Sequence, residues 1–295
     1  MHAYSLNIAG YKIRFESTAS GPGLVPAQRF AGFIEKGKEY DVLIKVHDGQ
    51  GILPPESEMV FNAPYVEETD GVPLKKNDEF WSVYKNGSEL YIKTLFPYSG
   101  FTRAAILKFS RETCEWDLWP GTETSEADPM EYPLDGLILY YLTAINNDIM
   151  IHASGINHAG RGYMFSGVSG KGKSTMAGIW NDSGASVIHD DRLIIRKTGS
   201  GFRFFNTPVY NNDTPRESDL DAIFLIEHGK TNASYPITGA AAVSLVMANC
   251  IQHNWDMNIV GQLIGSVTEL CAAVPVKRLE FVPDKSVIHF ILNNG

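Results

Sequence analysis

Cysteine is scarce in this 295-residue chain: Cys114, Cys250 and Cys271 lie far apart with no CxxC spacing, which argues against a disulfide framework and a cysteine-based zinc site. A reducing, cytoplasmic compartment is the expectation. Long apolar runs are lacking too. The longest, residues 137–145, is too short to cross a hydrocarbon core about 30 Å thick, and Met1-His2-Ala3-Tyr4 does not lead from a basic stretch into an apolar one. No membrane partner and no targeting elsewhere are expected. Positive charge is also short: Lys and Arg number 25 against 34 Asp and Glu, a net charge of −9. Duplex recognition needs clustered Lys and Arg against phosphates, so nucleic acid is not an expected partner. Internal repeats and low-complexity segments are absent. What remains is an ordinary globular balance of 44% hydrophobic and 20% charged residues, enough for one or two domains.

The first third of the chain reads as strand. Residues 4–8 and 11–15 flank Ala9-Gly10, and Tyr40, Val42, Ile44 and Val46 alternate with Asp41, Leu43 and Lys45. Further strands at 80–84 and 90–95 surround Asn86-Gly87, a dipeptide that tolerates the positive φ of tight turns. Cys114, Trp116 and Leu118 alternate in another. These features predict an antiparallel β-rich domain over residues 1–130, closed by a segment rich in Pro, Gly, Thr, Glu and Asp between Trp119 and Pro133.

Residues 131–295 change pattern. A helix is expected over 134–147, strands over 150–156 and 163–166, then a glycine-rich loop and a helix. Strands follow near 187–188, 193–197, 202–206 and 222–227. Helices at 239–250 and 256–273, a strand at 277–281 and a last helix at 284–293 complete an α/β domain.

The loop Gly167-Val168-Ser169-Gly170-Lys171-Gly172-Lys173-Ser174 fits the Walker A pattern in its required context, after a strand and before a helix. Glycines let successive backbone N–H groups converge on phosphate oxygens, and the helix N-terminus adds partial positive charge. Lys173 supplies a full charge. Ser174 supplies the hard oxygen that Mg²⁺ accepts while staying partly hydrated. A nucleoside triphosphate with Mg²⁺ is the expected ligand, bound by Gly167, Ser169, Gly170, Lys171, Gly172, Lys173, Ser174 and Thr175.

Downstream, a short apolar strand leads to His189-Asp190-Asp191. Two adjacent carboxylates near a γ-phosphate could divide the work, one helping to hold Mg²⁺ and the other accepting a proton from an incoming hydroxyl. His152, in the strand before the loop, is a lone histidine with no HxH or HxxxH partner, so a His-based metal site has little support. Among Arg192, Arg196, Arg203 and Arg216, only Arg216 follows a polar, loop-like segment, Asp213-Thr214-Pro215, where it could contact a phosphate or an acceptor.

Together His152-Ala153-Ser154-Gly155, the run from Phe165 to Thr175, and Asp190-Asp191 resemble the catalytic core of HPr kinase. They are most similar to HPr-kinase-like proteins that carry this core behind a β-rich region, a core related to ATP-dependent phosphoenolpyruvate carboxykinase. The resemblance is specific over residues 150–197. It implies a P-loop kinase core with a mixed sheet, ATP and Mg²⁺, and phosphoryl transfer to a hydroxyl, usually of a protein serine. Lys173 would bind the β- and γ-phosphates, Ser174 and Asp191 would serve the metal, Asp190 would be the catalytic base, and His152 would stand near the phosphates. HPr kinases form oligomers, so a homo-oligomer is the corresponding expectation. The chain departs from the pattern at Thr175, where HPr kinases usually carry Glu, and in lacking their downstream glycine-rich signature; Phe205-Asn206-Thr207-Pro208 stands there instead. These departures point away from HPr itself as the acceptor. No second metal- or oxaloacetate-binding constellation supports carboxykinase chemistry. The expected function is thus an ATP- and Mg²⁺-dependent kinase of a protein, peptide or small-molecule hydroxyl, with a nucleotide-binding sensor or scaffold as the alternative.

Overall fold

A computed structural model describes residues 1–69, 72–168 and 170–294. The chain divides into two compact units, residues 1–139 with 208–214, and residues 140–207 with 215–295.

The first unit carries strands Ala3–Ile8 (β1), Tyr11–Ser17 (β2), Gly23–Leu24 (β3), Ile34–Glu35 (β4), Val42–Val46 (β5), Glu58–Thr69 (β6), Val72–Asn86 (β7), Glu89–Leu95 (β8), Ala104–Phe109 (β9), Glu115–Trp119 (β10) and Glu126–Ala127 (β11). Nine of these form one sheet in the order β4-β1-β2-β5-β10-β9-β8-β7-β6. Alternation explains the ladder: on β2, Tyr11, Ile13 and Phe15 are buried between less buried neighbours. The sheet is mixed rather than antiparallel, because β5 pairs in parallel with both β2 and β10. Those pairings join segments distant in sequence, which local alternation does not encode.

Turn chemistry sets the hairpins. Ala9 and Gly10 both take positive φ, 54° and 80°, between β1 and β2. Between β7 and β8 the register pairs Asn86 with Glu89. The turn is therefore Gly87-Ser88, one residue later than expected, with Gly87 at φ 62°.

Helix Leu134–Ile145 (α1) ends earlier than its apolar pattern suggests. Asn147 adopts φ 58° just beyond it, the left-handed stop that asparagine accepts.

The second unit holds strands Ile149–His158 (β12), Arg161–Ser166 (β13), Ser186–His189 (β14), Arg192–Thr198 (β15), Gly201–Asn206 (β16), Glu217–Asp219 (β17), Ala222–His228 (β18), Ala233–Ile237 (β19) and Val276–Phe281 (β20). Its helices are Lys173–Asn181 (α2), Gly239–Met247 (α3), Met257–Ala273 (α4) and Ser286–Asn294 (α5). The sheet runs β17-β16-β15-β12-β13-β18-β20-β19, with β14 also pairing to β12. β13, β18 and β20 are mutually parallel, whereas β12 is antiparallel to β13. The protein is thus mixed α/β with two large mixed sheets. One core cluster includes Trp180 and Met176 of α2 against Phe165, Phe224 and Phe281, and a second includes Val246 of α3 and Val267 and Leu270 of α4 against Ile151, Met164 and Phe204. Among the described residues no helix is long and apolar enough to cross a membrane.

Close packing explains Gly155, the glycine of the His-Ala-Ser-Gly run. A Cβ there would stand 2.4 Å from Phe204 Cε2 and 3.0 Å from Leu193 Cδ1, both on fully buried side chains. Gly155→Ala is expected to destabilise the fold by about 1–3 kcal/mol through overpacking, read as a lower denaturation midpoint in urea. An unchanged midpoint would show that the Phe204 ring can move.

Candidate functional site

The site is organised by the way β12 divides its pairing. Its first half, residues 149–152, pairs with β15, and residues 155–157 pair with β14. His152 lies opposite Arg192 and Gly155 opposite His189, so the bend Asp190-Asp191 between β14 and β15 sits beside Ala153 and Ser154. The backbone confirms this: Ala153 N–H donates to Asp191 O at 3.1 Å. On its other flank β12 pairs Ala153 with Ser166, the last residue of β13 before the glycine-rich loop. The acidic bend and the loop thus leave the sheet at the same level on either side of β12. Two inter-strand spacings separate them, about 10 Å.

Loop geometry follows from its glycines. Gly170 and Gly172 adopt φ of 79° and 90°, and Gly172 is the N-cap of α2 with no side-chain cap. First-turn N–H groups lack intrahelical acceptors, so the start of α2, with no side-chain cap among the described residues, presents backbone donors of the kind that suit an anion. Lys171 N–H donates to Val168 O at 3.3 Å, closing the preceding turn. Ser174 and Thr175 are exposed in the first helical turn. Ser169, one of the expected phosphate contacts, lies outside the described residues.

Lys173 is 7% exposed, and its Nζ donates to Gly167 O at 2.7 Å and Val168 O at 3.4 Å. Burial pushes its pKa down, while the negative charge of Asp191 opposes that shift. An ammonium held by two carbonyls in a buried side chain gains from an anion brought to the loop.

Across β12, His152 Nδ1 lies 3.3 Å from Asp191 Oδ1, and Arg192 Nε lies 3.2 Å from Asp191 Oδ2. The His152 hydrogen bond, against the opposing effect of burial and with Arg192 adding attraction, holds the Asp191 carboxyl down to about 2. The bend itself is pinned by His189, whose Nδ1 accepts from Asp191 N at 3.0 Å and Arg192 N at 3.3 Å. Because its folded pKa lies below the ordinary 3.8, Asp191 stabilises the fold above about pH 4, and that contribution is lost as pH falls through about 2. Asp191→Asn should flatten the acid limb of a stability–pH curve. An unaltered acid limb would place the carboxylate outside this network.

Lys173, His152, Asp190 and Asp191 are therefore gathered around one strand. Arg216 reaches the strand that leads into the bend: its Nη1 donates to Val187 O at 2.8 Å, and its backbone N–H donates to Asn206 Oδ1 at 2.8 Å. Arg196 pairs with Asp148, and Arg203 with Glu217 and Asp219, as strand-face ion pairs.

Several residues of the motif runs act as supports. Ser154 Oγ donates to Lys173 O at 3.1 Å, tying β12 to the start of α2, and Ser166 Oγ donates to His152 O at 3.1 Å. Both serines are fully buried. Thr207 Oγ1 donates to Arg192 O at 3.2 Å, bracing the residue that follows the bend, and Asn206 Oδ1 accepts from the Arg216 backbone. Serine inside an apolar strand was the available signal, since a buried hydroxyl requires a partner.

Among the described residues no group of three or more His, Cys, Asp or Glu side chains could hold a metal by itself. Mg²⁺ carried by a triphosphate needs only one or two protein oxygens beside phosphate oxygens and water, and the exposed Ser174 hydroxyl is an oxygen of that kind. Ser174 and the carboxylates of the bend are the oxygens available for it.

No protein-family model and no curated protein matches the chain. Among solved structures, the Hpr(Ser) kinase/phosphatase from Coxiella burnetii aligns over 49% of this chain and 94% of that chain, at 9% identity and a TM-score of 0.31.

Proposed function

We propose that this chain is an ATP- and Mg²⁺-dependent phosphotransferase acting on a hydroxyl, that of a serine in a protein or peptide being the acceptor implied by the motif resemblance. The observation that carries the reading is the register of β12, which sets an uncapped glycine-rich loop and a two-carboxylate bend about 10 Å apart. That spacing leaves room for a γ-phosphate and an attacking oxygen between them.

In this reading the loop N–H groups and Lys173 hold the β- and γ-phosphates, and Ser174 and Asp191 provide oxygens for the metal. Mg²⁺, when bound, supplies charge neutralisation on the phosphates. Asp191 is committed to His152 and Arg192, and the motif resemblance implies that the base is its neighbour. Asp190, its neighbour in the bend, is assigned that task. The acceptor O–H proton passes to the Asp190 carboxylate, the acceptor oxygen bonds to the γ-phosphorus, and the bond to the β-phosphate bridging oxygen breaks, so that ADP leaves with the electron pair. His152 fixes the Asp191 carboxylate and keeps it ionised.

The test is transfer of labelled γ-phosphate from ATP to a pool of serine-containing peptides, with ADP release followed in the same samples. Acceptor-stimulated, Mg²⁺-dependent ADP release is the expected result. ATP binding without release under any condition would replace this reading with that of a nucleotide sensor.

A further inference from the structure

The two sides of the glycine-rich loop differ in chemistry. On the β12 side stand His152 and the acidic bend. On the other side the loop is followed across the sheet by β18 and β20, both parallel to β13, so all three carboxyl ends emerge together. Ligands of such sheets sit outside those ends. β13 stops at Ser166, opposite Leu225, whereas β18 continues to His228 and β20 to Phe281, which pair with each other. These two residues therefore stand beyond the level at which the loop begins.

Their rings form a tilted pair. His228 lies 5.3 Å from Phe281, with 31° between ring planes. Phe281 is fully buried and His228 is exposed. The loop presses on the pair: a Cβ on Gly172 would come within 2.9 Å of Phe281 Cζ and 3.2 Å of His228 Cε1. An imidazole is thus held against the N-cap of α2, with a tilted phenyl ring beside it. The following turn is anchored by Gly229 N–H donating to Phe281 O at 3.0 Å.

Given the proposed phosphate site, on which this step rests, a triphosphate whose γ end faces Asp190 and Asp191 must direct its nucleoside the other way, over β18 and β20. We infer that His228, backed by Phe281, is the nucleobase platform, stacking a purine on its exposed imidazole. A flat ring supplies affinity for any base face but gains most from the larger purine surface. The site would take purine nucleoside triphosphates ahead of pyrimidine ones.

Calorimetry of the full chain with Mg²⁺ and three probes, ATP, UTP and inorganic tripolyphosphate, separates base from phosphate recognition. Wild type should bind ATP more tightly than UTP or tripolyphosphate. His228→Ala should weaken ATP binding about tenfold and leave tripolyphosphate unchanged, while His228→Phe, which keeps a stacking ring, should retain most of the ATP affinity. ATP affinity untouched by His228→Ala, or equal losses for ATP and tripolyphosphate, would overturn the platform while leaving the phosphate loop standing. Absence of tripolyphosphate and ATP binding in wild type would overturn the loop and the platform together.

Discussion

Replacing Lys173 with alanine is expected to weaken ATP binding about 100-fold, roughly 2.7 kcal/mol. The side chain is buried, its pKa is pushed down by that burial, and its ammonium is held by the Gly167 and Val168 carbonyls. A triphosphate brought to the uncapped end of α2 meets that charge where water screens it little, so its removal costs a strong charge-assisted contact. Lys173→Met keeps the apolar stem and controls for packing lost in the alanine variant. Both should retain the wild-type circular dichroism spectrum while losing affinity. Equal ATP affinity in wild type and either variant would count against the phosphate-loop assignment.

Asp190→Asn should separate binding from chemistry. Asparagine has the shape of aspartate but cannot take the acceptor proton. Turnover is therefore expected to fall about 100-fold or more, with nucleotide affinity within about twofold of wild type, because a general base acts mainly in the transition state. The neighbouring carboxylate cannot substitute well: Asp191 is committed to His152 and Arg192 and held near a pKa of 2. Steady-state ADP release with a phosphorylated peptide product, set beside calorimetric affinity for the same variant, reads both quantities. A loss of affinity equal to the loss of rate would assign Asp190 to metal or nucleotide binding and favour a sensor.

Much of the second unit was legible because its elements have local signatures. Strand, glycine loop and helix follow in order from Arg161 to Asn181, and Asp256 caps α4 by accepting from Asn258 N and Ile259 N. The first unit was less legible. β9, Ala104–Phe109, has buried residues on both faces and so lacks alternation, and β6 carries Pro64 and runs through register shifts against β7. Nor does any linear signal announce that residues 208–214 join the first compact unit.

The site shows the same division. Glycines, Lys173 and the paired aspartates stand out as residue types. That β12 would split its pairing between β14 and β15, and so hang the Asp190-Asp191 bend beside Ala153, is a property of long-range register. Ser154, Ser166 and Thr207 act through single hydrogen bonds to backbone groups that come close only in the fold, whereas His189 accepts two from the bend that directly follows it. His228 and Phe281 meet because two strands distant in sequence run parallel.

The central claim is that residues 167–174 hold a magnesium-bound nucleoside triphosphate. Calorimetric titration of the full chain with ATP, in Mg²⁺ and then in excess chelator, tests it most directly. Saturable binding at one site per chain, strengthened by Mg²⁺ and largely lost in Lys173→Met, is the predicted result. No saturable ATP binding by a folded wild-type chain in the presence of Mg²⁺ would contradict it.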